Sequence, residues 1–524
     1  MEKQQYILTQ DTQALFAAID PRVASSEQFS LAAEEYVNTL SDALSPENGG
    51  ALCIRTFYEQ EINARLQEAI IPFLQTENTI CICLDRFLLS DIDQNEEYKG
   101  KFARFSMARA VDGTKVPRQG NPSFEKQIQE IAQIAQGKQV VIVDDGFFTG
   151  GTIRDFMRLA EESGVDLPIQ KIIGFIGNGV ASEEPFTDKT EILEPVQNLY
   201  EWIDIRDFGP FGGKRYEASR QNGVTSAIPY IYPWSDGSGA SLNMSPRFFD
   251  ISQSMIKAFQ SLVTQFEAEK GCSLRMRDIV NAGFPLPTNA EKSIPVSIND
   301  SVTRYLDRCL TAIETERQRK TMIFDMDGTL YQIDGSEKGF AGSTLEQAVL
   351  ENAKNLIRER EQITEDEVYQ LVNTAQTDPI GMSRFLSERY GVTREEYFNS
   401  VWDIDPEGIV QNFDIPVSVL RELTETNPEV KYILLTAAPR IWAEKVLNYI
   451  GVSELFEVKY TGDQFGTKAE IFEMLAGRYQ PENIISVGDQ EQTDIIPAQK
   501  YGISGILVQN PPDLLRQLQE RGEI

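Results

Sequence analysis

No histidine occurs among the 524 residues of this chain. Its absence excludes Ser-His-Asp and Cys-His catalysis, histidine acid/base chemistry and histidine-ligated zinc. Cysteine is also rare: the five cysteines, an odd number without a CxxC pair, are expected to be reduced and mostly buried thiols. Any chemistry must therefore rest on carboxylates, lysine, arginine, hydroxyls and backbone amides, with or without a hard divalent cation.

Basic residues and long apolar runs are scarce too. The chain has 49 lysines and arginines against 80 acids, a formal net charge of −31, which argues against a broad nucleic-acid-binding surface. No apolar run reaches the roughly 18 residues of a membrane span, and the first residues do not read as a signal peptide. We therefore expect a cytoplasmic protein without nucleic acid or membrane as a partner. Mg²⁺ and amide cradles would have to offset the acidic charge wherever an anionic substrate binds.

The pattern of apolar residues predicts an α/β protein. Short apolar runs alternate with amphipathic helices in both halves of the chain, which is typical of βαβ units and a parallel sheet. Strands are predicted at 79–84, 139–145, 171–177, 321–325, 432–436, 483–489 and 505–508. Residues 1–50 are expected to be polar and partly helical.

The predicted organisation has three parts. Residues 1–290 form the first domain, 291–320 a linker with a connecting helix, and 321–524 the second domain. Within the second domain, residues 340–425 are predicted to be a helical insertion.

The segment IFDMDGTLY at 323–331 places two carboxylates at the end of an apolar strand. Asp325 and Asp327 are two residues apart and point to the same side, so both can face one phosphate group. The carboxyl ends of parallel strands are also where open α/β sheets bind ligands. Further polar residues follow in a fixed order at later strand ends and at the start of a helix: Thr436, Lys468, Asp489 and Asp494. A lone DxD is common in turns, but this joint order favours a phosphate site.

The set DxDGT…T…K…GDxxxxD resembles the haloacid dehalogenase (HAD) superfamily over about 321–508. The resemblance implies a Rossmannoid fold and a Mg²⁺-dependent phosphatase. It implies that Asp325 forms an aspartyl-phosphate, that Asp327 acts as acid and then base, and that Thr436 and Lys468 hold the phosphoryl oxygens. The implied metal ligands are Asp325, Asp327, Asp489 and Asp494.

The helical insertion implies a cap domain. Two capping boxes, Thr364 with Glu367 and Thr393 with Glu396, are expected to begin helices there. The segment 381–409 is similar to the caps of pyrimidine 5′-nucleotidase-type members. A cap of this kind admits a small molecule rather than a phosphoprotein, because its closure excludes water and bulk.

A second acidic motif, VVIVDDGFFTGGT at 140–152, joins a buried strand, two acids and a Gly-rich loop that leads into a helix. Loop amides and a helix N-terminus can cradle a phosphate, and adjacent carboxylates can accept hydrogen bonds from a vicinal diol. The spacing DDxxxTGxT resembles the 5-phosphoribosyl 1-diphosphate (PRPP) signature of type I phosphoribosyltransferases. The resemblance implies that Asp144 and Asp145 hold the ribose hydroxyls. It also implies that the 5′-phosphate is bound by Thr149, Gly150, Gly151 and Thr152.

Three other features of the first domain are candidates for parts of this site. The pair Asp85 and Arg86 is a candidate for the pyrophosphate loop and Arg104 for a mobile loop, with an ordinary surface role as the alternative for both. The aromatic stretch around Trp202 and Asp204 is a candidate hood that selects the acceptor, with core packing as the alternative for each aromatic side chain.

The whole arrangement resembles bacterial fusions of an orphan phosphoribosyltransferase with a HAD-type phosphatase, some of which occur with tellurium-resistance and stress genes. The resemblance implies a bifunctional enzyme of nucleotide metabolism. It would transfer phosphoribosyl from PRPP to a small-molecule acceptor and then hydrolyse the 5′-phosphate of the resulting riboside or nucleotide. The alternative is a HAD nucleotidase regulated by a domain that senses PRPP or a nucleotide. The acceptor, an N- or C-riboside link, channelling and the oligomeric state are left open, with a homodimer as one alternative.

Overall fold

Two compact units make up the computed structural model of this chain. The first comprises Met1–Asn243 and Phe248–Ile313, and the second comprises Met244–Arg247 and Glu314–Ile524. The structure describes residues 4–45, 52–86, 88–118, 120–147, 150–177, 187–216, 226–288, 294–335, 340–378 and 381–523. The domain limits given above stay a prediction. In these described parts of the chain, no helix combines the length and apolar character needed to cross a membrane.

The first unit alternates strands and helices along most of its length. Its strands are β1 (Gln4–Gln10), β2 (Leu52–Tyr58), β3 (Thr79–Cys83), β4 (Phe102–Arg104), β5 (Met107–Arg109), β6 (Lys115–Pro117), β7 (Gln139–Phe147), β8 (Ile169–Gly177), β9 (Thr190–Pro195), β10 (Leu199–Asp204), β11 (Lys214–Tyr216), β12 (Ser226–Ile228) and β13 (Leu286–Pro287). Its helices are α1 (Thr12–Ala17), α2 (Pro21–Ala24), α3 (Glu27–Leu44), α4 (Glu59–Leu74), α5 (Ser90–Gln94), α6 (Phe124–Ala135), α7 (Gly151–Glu162), α8 (Phe248–Lys270), α9 (Met276–Asn281) and α10 (Val302–Arg317), whose last residues belong to the second unit.

Five parallel strands form the main sheet of the first unit, in the order β4-β3-β7-β8-β9. Alternate residues of β3 face opposite layers: Cys81 and Cys83 pack with α4, whereas Ile80 and Ile82 pack with α6 and α7. The strand order reverses between β3 and β7. The carboxyl ends of these two strands therefore flank the crevice where open α/β sheets bind ligands.

A second parallel sheet, β10-β1-β2, contains a strand at the start of the chain that the sequence pattern did not predict. Helices α1 to α3 match the expected helical content of residues 1–50, but Gln4–Gln10 is a largely buried central strand. In this sheet Thr9 pairs with Asp204 on one side and with Phe57 on the other. Both partners are distant in sequence, so the local pattern of residues 4–10 does not reveal the sheet.

The second unit has its own sheet and helices. Its strands are β14 (Thr321–Phe324), β15 (Gln332–Ile333), β16 (Val410–Gln411), β17 (Lys431–Leu435), β18 (Val458–Tyr460), β19 (Ile484–Gly488) and β20 (Ser504–Leu507). Its helices are α11 (Thr344–Arg360), α12 (Glu365–Thr377), α13 (Met382–Tyr390), α14 (Arg394–Val401), α15 (Asp414–Thr426), α16 (Arg440–Tyr449), α17 (Lys468–Arg478), α18 (Ile496–Gln499) and α19 (Leu514–Glu520).

The five strands of the main sheet in the second unit are also parallel, in the order β18-β17-β14-β19-β20. β14 lies at the centre and every one of its residues is buried. The order reverses between β14 and β19, which again creates a ligand-binding crevice at the strand ends. The prediction of an α/β protein with parallel sheets is confirmed.

The predicted helical insertion is present and enters and leaves through one ribbon. β15 pairs antiparallel with β16, and α11 to α14 lie between them in the chain. Both predicted capping boxes form: Thr364 with Glu367 at the start of α12, and Thr393 with Glu396 at the start of α14. α15 follows the ribbon and leads to β17.

Candidate functional sites

The sheet of the second unit brings predicted site residues to its carboxyl edge. Asp325 follows β14, Thr436 follows β17 and Asp489 follows β19, while Lys468 is the first residue of α17. Since β14 pairs with both β17 and β19, these three strand ends are neighbours.

Lys468 joins two carboxylates at the centre of this site. Its Nζ lies 2.6 Å from Asp325 Oδ1 and 2.7 Å from Asp494 Oδ1, and all three side chains are at least nine-tenths buried. Burial by itself lowers the pKa of Lys468, but the charges of Asp325 and Asp494 outweigh this effect and raise the pKa above its ordinary value. Lys468 is therefore a fixed positive charge beside both acids.

The carboxylates of the site outnumber this one cation. Burial raises the pKa of Asp325 well above its ordinary range, with Lys468 opposing the rise and Asp494 adding to it. Burial and the charge of Asp494 raise the pKa of Asp489 to about 6. The site therefore has room for further positive charge.

Two glycines make room for the carboxylates. At Gly328 the backbone has φ +79°, and a Cβ there would lie 2.2 Å from Asp489 Oδ2. A Cβ at Gly488 would lie 2.3 Å from Asp494 Oδ2. Any side chain at either position would displace an acid of the site, which explains the glycine in each motif.

Three of the four predicted metal ligands form a compact donor set. Oxygens of Asp325, Asp489 and Asp494 all lie within 4.8 Å of one another. Asp489 Oδ1 is buried and has no hydrogen-bond partner among the described residues. Closely grouped carboxylates with an unused buried oxygen fit a hard dication such as Mg²⁺.

Asp327, the fourth predicted ligand, is not part of that set. Its carboxylate instead accepts a hydrogen bond from the Tyr331 hydroxyl. Removal from water raises the pKa of Asp327, while the bond from Tyr331 opposes the rise. A carboxyl group with a raised pKa suits the predicted role in proton transfer better than metal ligation by its side chain.

Thr436 is fully buried at the end of β17. Its Oγ1 accepts a hydrogen bond from the Ala438 amide at 3.1 Å. Among the described residues its hydroxyl donates to no acceptor, so the O–H group can serve an incoming phosphoryl oxygen.

In the first unit, a cavity of about 330 Å³ opens at the carboxyl ends of β3 and β7. Of the residues predicted to bind PRPP, Asp144, Asp145, Gly150, Gly151 and Thr152 line it, whereas Thr149 lies outside the described residues. Its charged lining is six acids (Asp85, Asp144, Asp145, Glu201, Asp204 and Asp207) and six bases (Arg86, Arg109, Lys115, Arg118, Arg206 and Lys214).

The two acids of the second motif lie side by side in this cavity. The Asp145 amide donates to Asp144 Oδ1 at 3.1 Å. Burial, and then the charge of Asp85, raise the pKa of Asp144 to about 7. Burial and the charge of Asp144 raise the pKa of Asp145 well above its ordinary range. A ligand that donates hydrogen bonds to these two carboxyl groups would therefore stabilise their ionised forms.

The N-terminus of α7 supplies amide groups to the same cavity. Gly150 is the residue before the helix and has φ +69°, a left-handed conformation that glycine adopts without strain. No side chain among the described residues caps this end. The first amides of α7, beginning with Gly151 and Thr152, are thus available to an anion.

Trp202 forms one wall of the cavity and accounts for the glycine at position 146. Its indole Nε1–H donates to Thr9 Oγ1 at 2.7 Å. A Cβ at Gly146 would lie 2.7 Å from the Trp202 ring and 2.3 Å from the Ile176 carbonyl oxygen. The indole occupies the space that an aliphatic side chain at position 146 would need. As the hood hypothesis expects, Trp202 and Asp204 both line the cavity.

A buried arginine that the sequence did not single out compensates part of the acidic wall. Arg206 lies 3.0 Å from Asp11, 3.7 Å from Asp204 and 4.0 Å from Asp207. Burial raises the pKa of Asp11 to about 6 despite Arg206, and raises that of Asp204 well above its ordinary range. The Arg206–Asp11 contact joins residues 195 positions apart, so no local signal reveals it.

The candidate loop residues have different positions. Asp85 and Arg86 line the cavity, and Arg86 also stacks over Phe284 at 4.6 Å. Arg104 does not line it: its guanidinium bonds Asp93 at 2.8 Å and the Asp85 carbonyl oxygen at 2.9 Å. Arg104 therefore supports the turn after β3. This geometry does not favour the candidate role of Arg104 in a mobile loop.

Three bases near the hairpin β5–β6 are further cavity residues that the sequence did not single out. Arg109 ends β5, Lys115 begins β6, and Arg118 follows β6. Arg118 Nε is buried without a hydrogen-bond partner among the described residues. A short two-stranded segment that carries several bases shortly before the acidic motif at 140–152 is the signal that could have located them.

Comparison with known proteins identifies one of the two units. Residues 319–502 match the family model for haloacid dehalogenase-like hydrolases. The second unit therefore contains a HAD-like hydrolase domain, and the resemblance noted in the sequence is confirmed for this part of the chain. No curated protein matches the chain.

Several solved structures are similar to part of the chain. They include a predicted phosphatase from Clostridium acetobutylicum, 17% identical, covering 39% of this chain and 91% of that one with a TM-score of 0.24. A haloacid dehalogenase-like family hydrolase from Streptococcus pneumoniae is 16% identical, covering 38% and 90% with a TM-score of 0.24. Another from Xanthomonas campestris is 12% identical, covering 40% and 96% with a TM-score of 0.26. With TM-scores this low, the assignment rests on the family match.

Proposed function

We propose that this chain is a bifunctional enzyme that builds and then dephosphorylates a nucleoside-like small molecule. The second unit, whose residues 319–502 form a HAD-like hydrolase domain, hydrolyses a phosphate monoester. The first unit transfers phosphoribosyl from PRPP to a small-molecule acceptor.

The hydrolase half rests on one observation: Lys468 Nζ contacts both Asp325 and Asp494 within 2.7 Å, next to an unpartnered oxygen of Asp489. The charge of Lys468 favours the ionised form of Asp325 against the effect of burial, and its ammonium group can also bond a phosphoryl oxygen. In this proposal Thr436 and Lys468 hold the phosphoryl oxygens.

The first chemical step forms a covalent intermediate. A carboxylate oxygen of Asp325 attacks phosphorus, and the bond from phosphorus to the leaving oxygen breaks with its electron pair staying on that oxygen. Asp327 gives its proton to the leaving oxygen, so a neutral alcohol departs.

The second step regenerates the enzyme. A water molecule loses a proton to Asp327 as its oxygen attacks phosphorus, and the bond to Asp325 breaks with the electron pair returning to the carboxylate. Inorganic phosphate is released, and Asp325 and Asp327 are back in their starting states.

Asp325, Asp489 and Asp494 would hold Mg²⁺. When bound, the ion supplies positive charge that neutralises the phosphoryl group and the attacking carboxylate. The close spacing of the three donors and the raised pKa of Asp489 support this assignment.

Release of inorganic phosphate from a panel of monoesters tests the hydrolase half. The panel contains nucleoside 5′-monophosphates, ribose 5-phosphate and a phosphopeptide, each with and without Mg²⁺. The helical insertion α11 to α14 supports small substrates, so the nucleotides and the sugar phosphate are expected to react and the phosphopeptide is not. Failure to hydrolyse any small monoester would contradict the proposal.

The transferase half rests on the paired acids Asp144 and Asp145 beside the uncapped N-terminus of α7, in one cavity of about 330 Å³. Carboxylates suit the two ribose hydroxyls, and free amides suit the 5′-phosphate. The cavity has the size of a small-molecule site.

The other residues that line the cavity suit the pyrophosphate group of PRPP and the acceptor. Arg109, Lys115 and Arg118 supply positive charge for pyrophosphate. Trp202 and Tyr230 offer aromatic faces for an acceptor. Transfer gives a product with a 5′-phosphate, which is the class of compound that the hydrolase half consumes.

An assay for pyrophosphate tests the transferase half. The protein is incubated with PRPP, Mg²⁺ and a source of acceptors, which is either a panel of bases or a cell extract. We expect pyrophosphate together with a new riboside detected by mass. Binding of PRPP without pyrophosphate release, accompanied by a change in phosphatase rate, would instead favour the alternative of a regulated nucleotidase.

A further inference from the structure

We propose that Tyr331 and Trp442 are positioning residues that orient the carboxyl group of Asp327 for proton transfer. The inference rests on the proposed function, because it takes Asp327 as the acid of phosphate-ester cleavage. It adds to that function the two side chains that orient the proton-donating carboxyl group of Asp327.

The three side chains form a short chain of hydrogen bonds. The Tyr331 hydroxyl donates to Asp327 Oδ1, and the Trp442 indole Nε1–H donates to the Tyr331 hydroxyl oxygen at 3.0 Å. Tyr331 and Trp442 are both fully buried. Water therefore cannot replace either bond, and the arrangement is fixed by the fold.

The direction of this chain follows from the chemistry of the indole. An indole nitrogen can only donate, so the Tyr331 oxygen must be the acceptor in its contact with Trp442. The single hydroxyl hydrogen of Tyr331 is then directed at Asp327. Asp327 Oδ1 must accept it, which leaves Oδ2 as the oxygen that carries the transferable proton.

The backbone holds the same segment in place. The Gly328 amide donates to the Tyr331 carbonyl oxygen at 2.9 Å, and the Leu330 amide donates to Met326 O at 2.9 Å. The carboxyl group of Asp327 thus sits on a closed turn, and Tyr331 fixes the side-chain rotation that the turn leaves free.

Trp442 connects this turn to the loop that presents Thr436. The indole belongs to the first turn of α16, which follows β17 and Thr436 by a few residues. The first turn of α16 therefore helps to position both Asp327, the proposed acid, and the loop that carries Thr436, which is assigned to the phosphoryl oxygens. A loss of the Trp442 N–H should act on catalysis chiefly through Tyr331, beside a smaller direct effect, since Trp442 also lowers the pKa of Asp327.

A comparison of two substrates separates this role from simple structural support. A p-nitrophenolate leaving group departs without help from an acid, whereas the alcohol of ribose 5-phosphate must be protonated as it leaves. We expect Tyr331→Phe to lower kcat/KM for ribose 5-phosphate by roughly tenfold or more and to leave kcat/KM for p-nitrophenyl phosphate nearly unchanged, because kcat/KM covers only the steps up to departure of the leaving group and omits the hydrolysis step that both substrates share. Trp442→Phe is expected to show the same selectivity to a smaller degree.

The double variant tests whether the two residues act in one chain. If Trp442 works chiefly through Tyr331, adding Trp442→Phe to Tyr331→Phe produces a much smaller selective loss than Trp442→Phe produces in the wild type, whereas an equal loss in both backgrounds would contradict the shared chain. Tyr432→Phe is the matched control, since it removes the hydroxyl of another buried tyrosine that bonds the Leu423 carbonyl oxygen at 2.9 Å. This control should leave the ratio of the two kcat/KM values unchanged.

Asp327→Asn distinguishes failure of the inference from failure of the proposed function. If Asp327→Asn selectively lowers kcat/KM for ribose 5-phosphate but Tyr331→Phe lowers kcat/KM of both substrates equally or of neither, the positioning role is wrong and the acid role stands. If Asp327→Asn shows no selectivity at all, the acid role itself is wrong.

Discussion

The two candidate sites occupy equivalent places in two different sheets, yet their carboxylates are compensated differently. Both lie at the strand ends where the order of a five-stranded parallel sheet reverses. In the second unit, Lys468 contacts Asp325 and Asp494 directly. In the first unit, no lysine or arginine among the described residues forms an ion pair with Asp144 or Asp145, and the charge of Arg118 only partly offsets the burial that raises the pKa of Asp144.

This difference matches the chemistry proposed for each site. A carboxylate that attacks phosphorus must be ionised before the substrate arrives, so it needs a permanent cation beside it. Carboxylates that hold ribose hydroxyls need only accept hydrogen bonds, and their charge becomes useful when positive charge develops on the sugar. In this proposal, the same topology places a nucleophile in one unit and a diol-binding pair in the other.

The largest expected effect comes from removal of the proposed nucleophile, which should abolish one activity and leave the other intact. Asp325→Asn should lower phosphate release by roughly 10³-fold or more, because the amide cannot form the phosphoenzyme. Pyrophosphate release from PRPP should be unchanged, since Asp325 belongs to the other unit. Phosphate release at the wild-type rate would show that Asp325 is not the nucleophile.

The reciprocal change is Asp144→Asn combined with Asp145→Asn. Pyrophosphate release should fall by roughly 10²-fold, because the ribose hydroxyls lose their ionic acceptors. Hydrolysis of ribose 5-phosphate by the same variant should match the wild type and serves as the internal control. Undiminished pyrophosphate release would refute the PRPP assignment of these two acids.

A smaller effect concerns the metal of the hydrolase site. Asp489→Asn removes one carboxylate of the donor set, so the Mg²⁺ concentration for half-maximal phosphatase activity should rise by roughly tenfold or more. Titration of Mg²⁺ into metal-stripped protein measures it. Glu482→Gln alters an acid outside the donor set of the same unit and should leave the titration unchanged. An identical midpoint in Asp489→Asn and wild type would exclude Asp489 as a ligand.

The smallest effect is on stability and has a defined pH dependence. Burial raises the pKa of Asp144 to about 7, so its contribution to stability is complete below its ordinary pKa near 4 and is lost as the pH rises to about 7. Asp144→Asn should therefore raise the Tm by about 2–4 °C at pH 8 and change it little at pH 4. Glu130→Gln, an exposed change, should shift neither. A lower Tm for Asp144→Asn at pH 8 would contradict the burial argument.

Much of the second unit could be predicted because its signals are local. A run of apolar residues followed by an acid marks the ends of β14 and β19, and Thr364 with Glu367 form the capping box that their spacing indicates. These features depend on residues within a few positions of one another. The order of the motifs along the chain then sufficed to identify the hydrolase domain.

The parts that escaped prediction depend on contacts between distant residues. Strand β1 is defined by its pairing with β2 and β10, and the Trp202 indole over Gly146 is visible only once the sheets are assembled. The same holds for the hydrogen bond between Trp442 and Tyr331, which lie 111 positions apart. The resemblance implied a metal role for Asp327, whereas the hydrogen bond that its carboxylate accepts from Tyr331 could not be inferred from the motif.

The most direct test of two linked activities is the mass of the product formed from PRPP by the Asp325→Asn variant. With PRPP, Mg²⁺ and an acceptor source, wild type should yield a riboside without phosphate, and the variant should accumulate the same compound heavier by one phosphoryl group. If neither protein forms a new riboside, or if the variant forms the dephosphorylated compound as fast as wild type, the account of sequential transfer and hydrolysis is wrong.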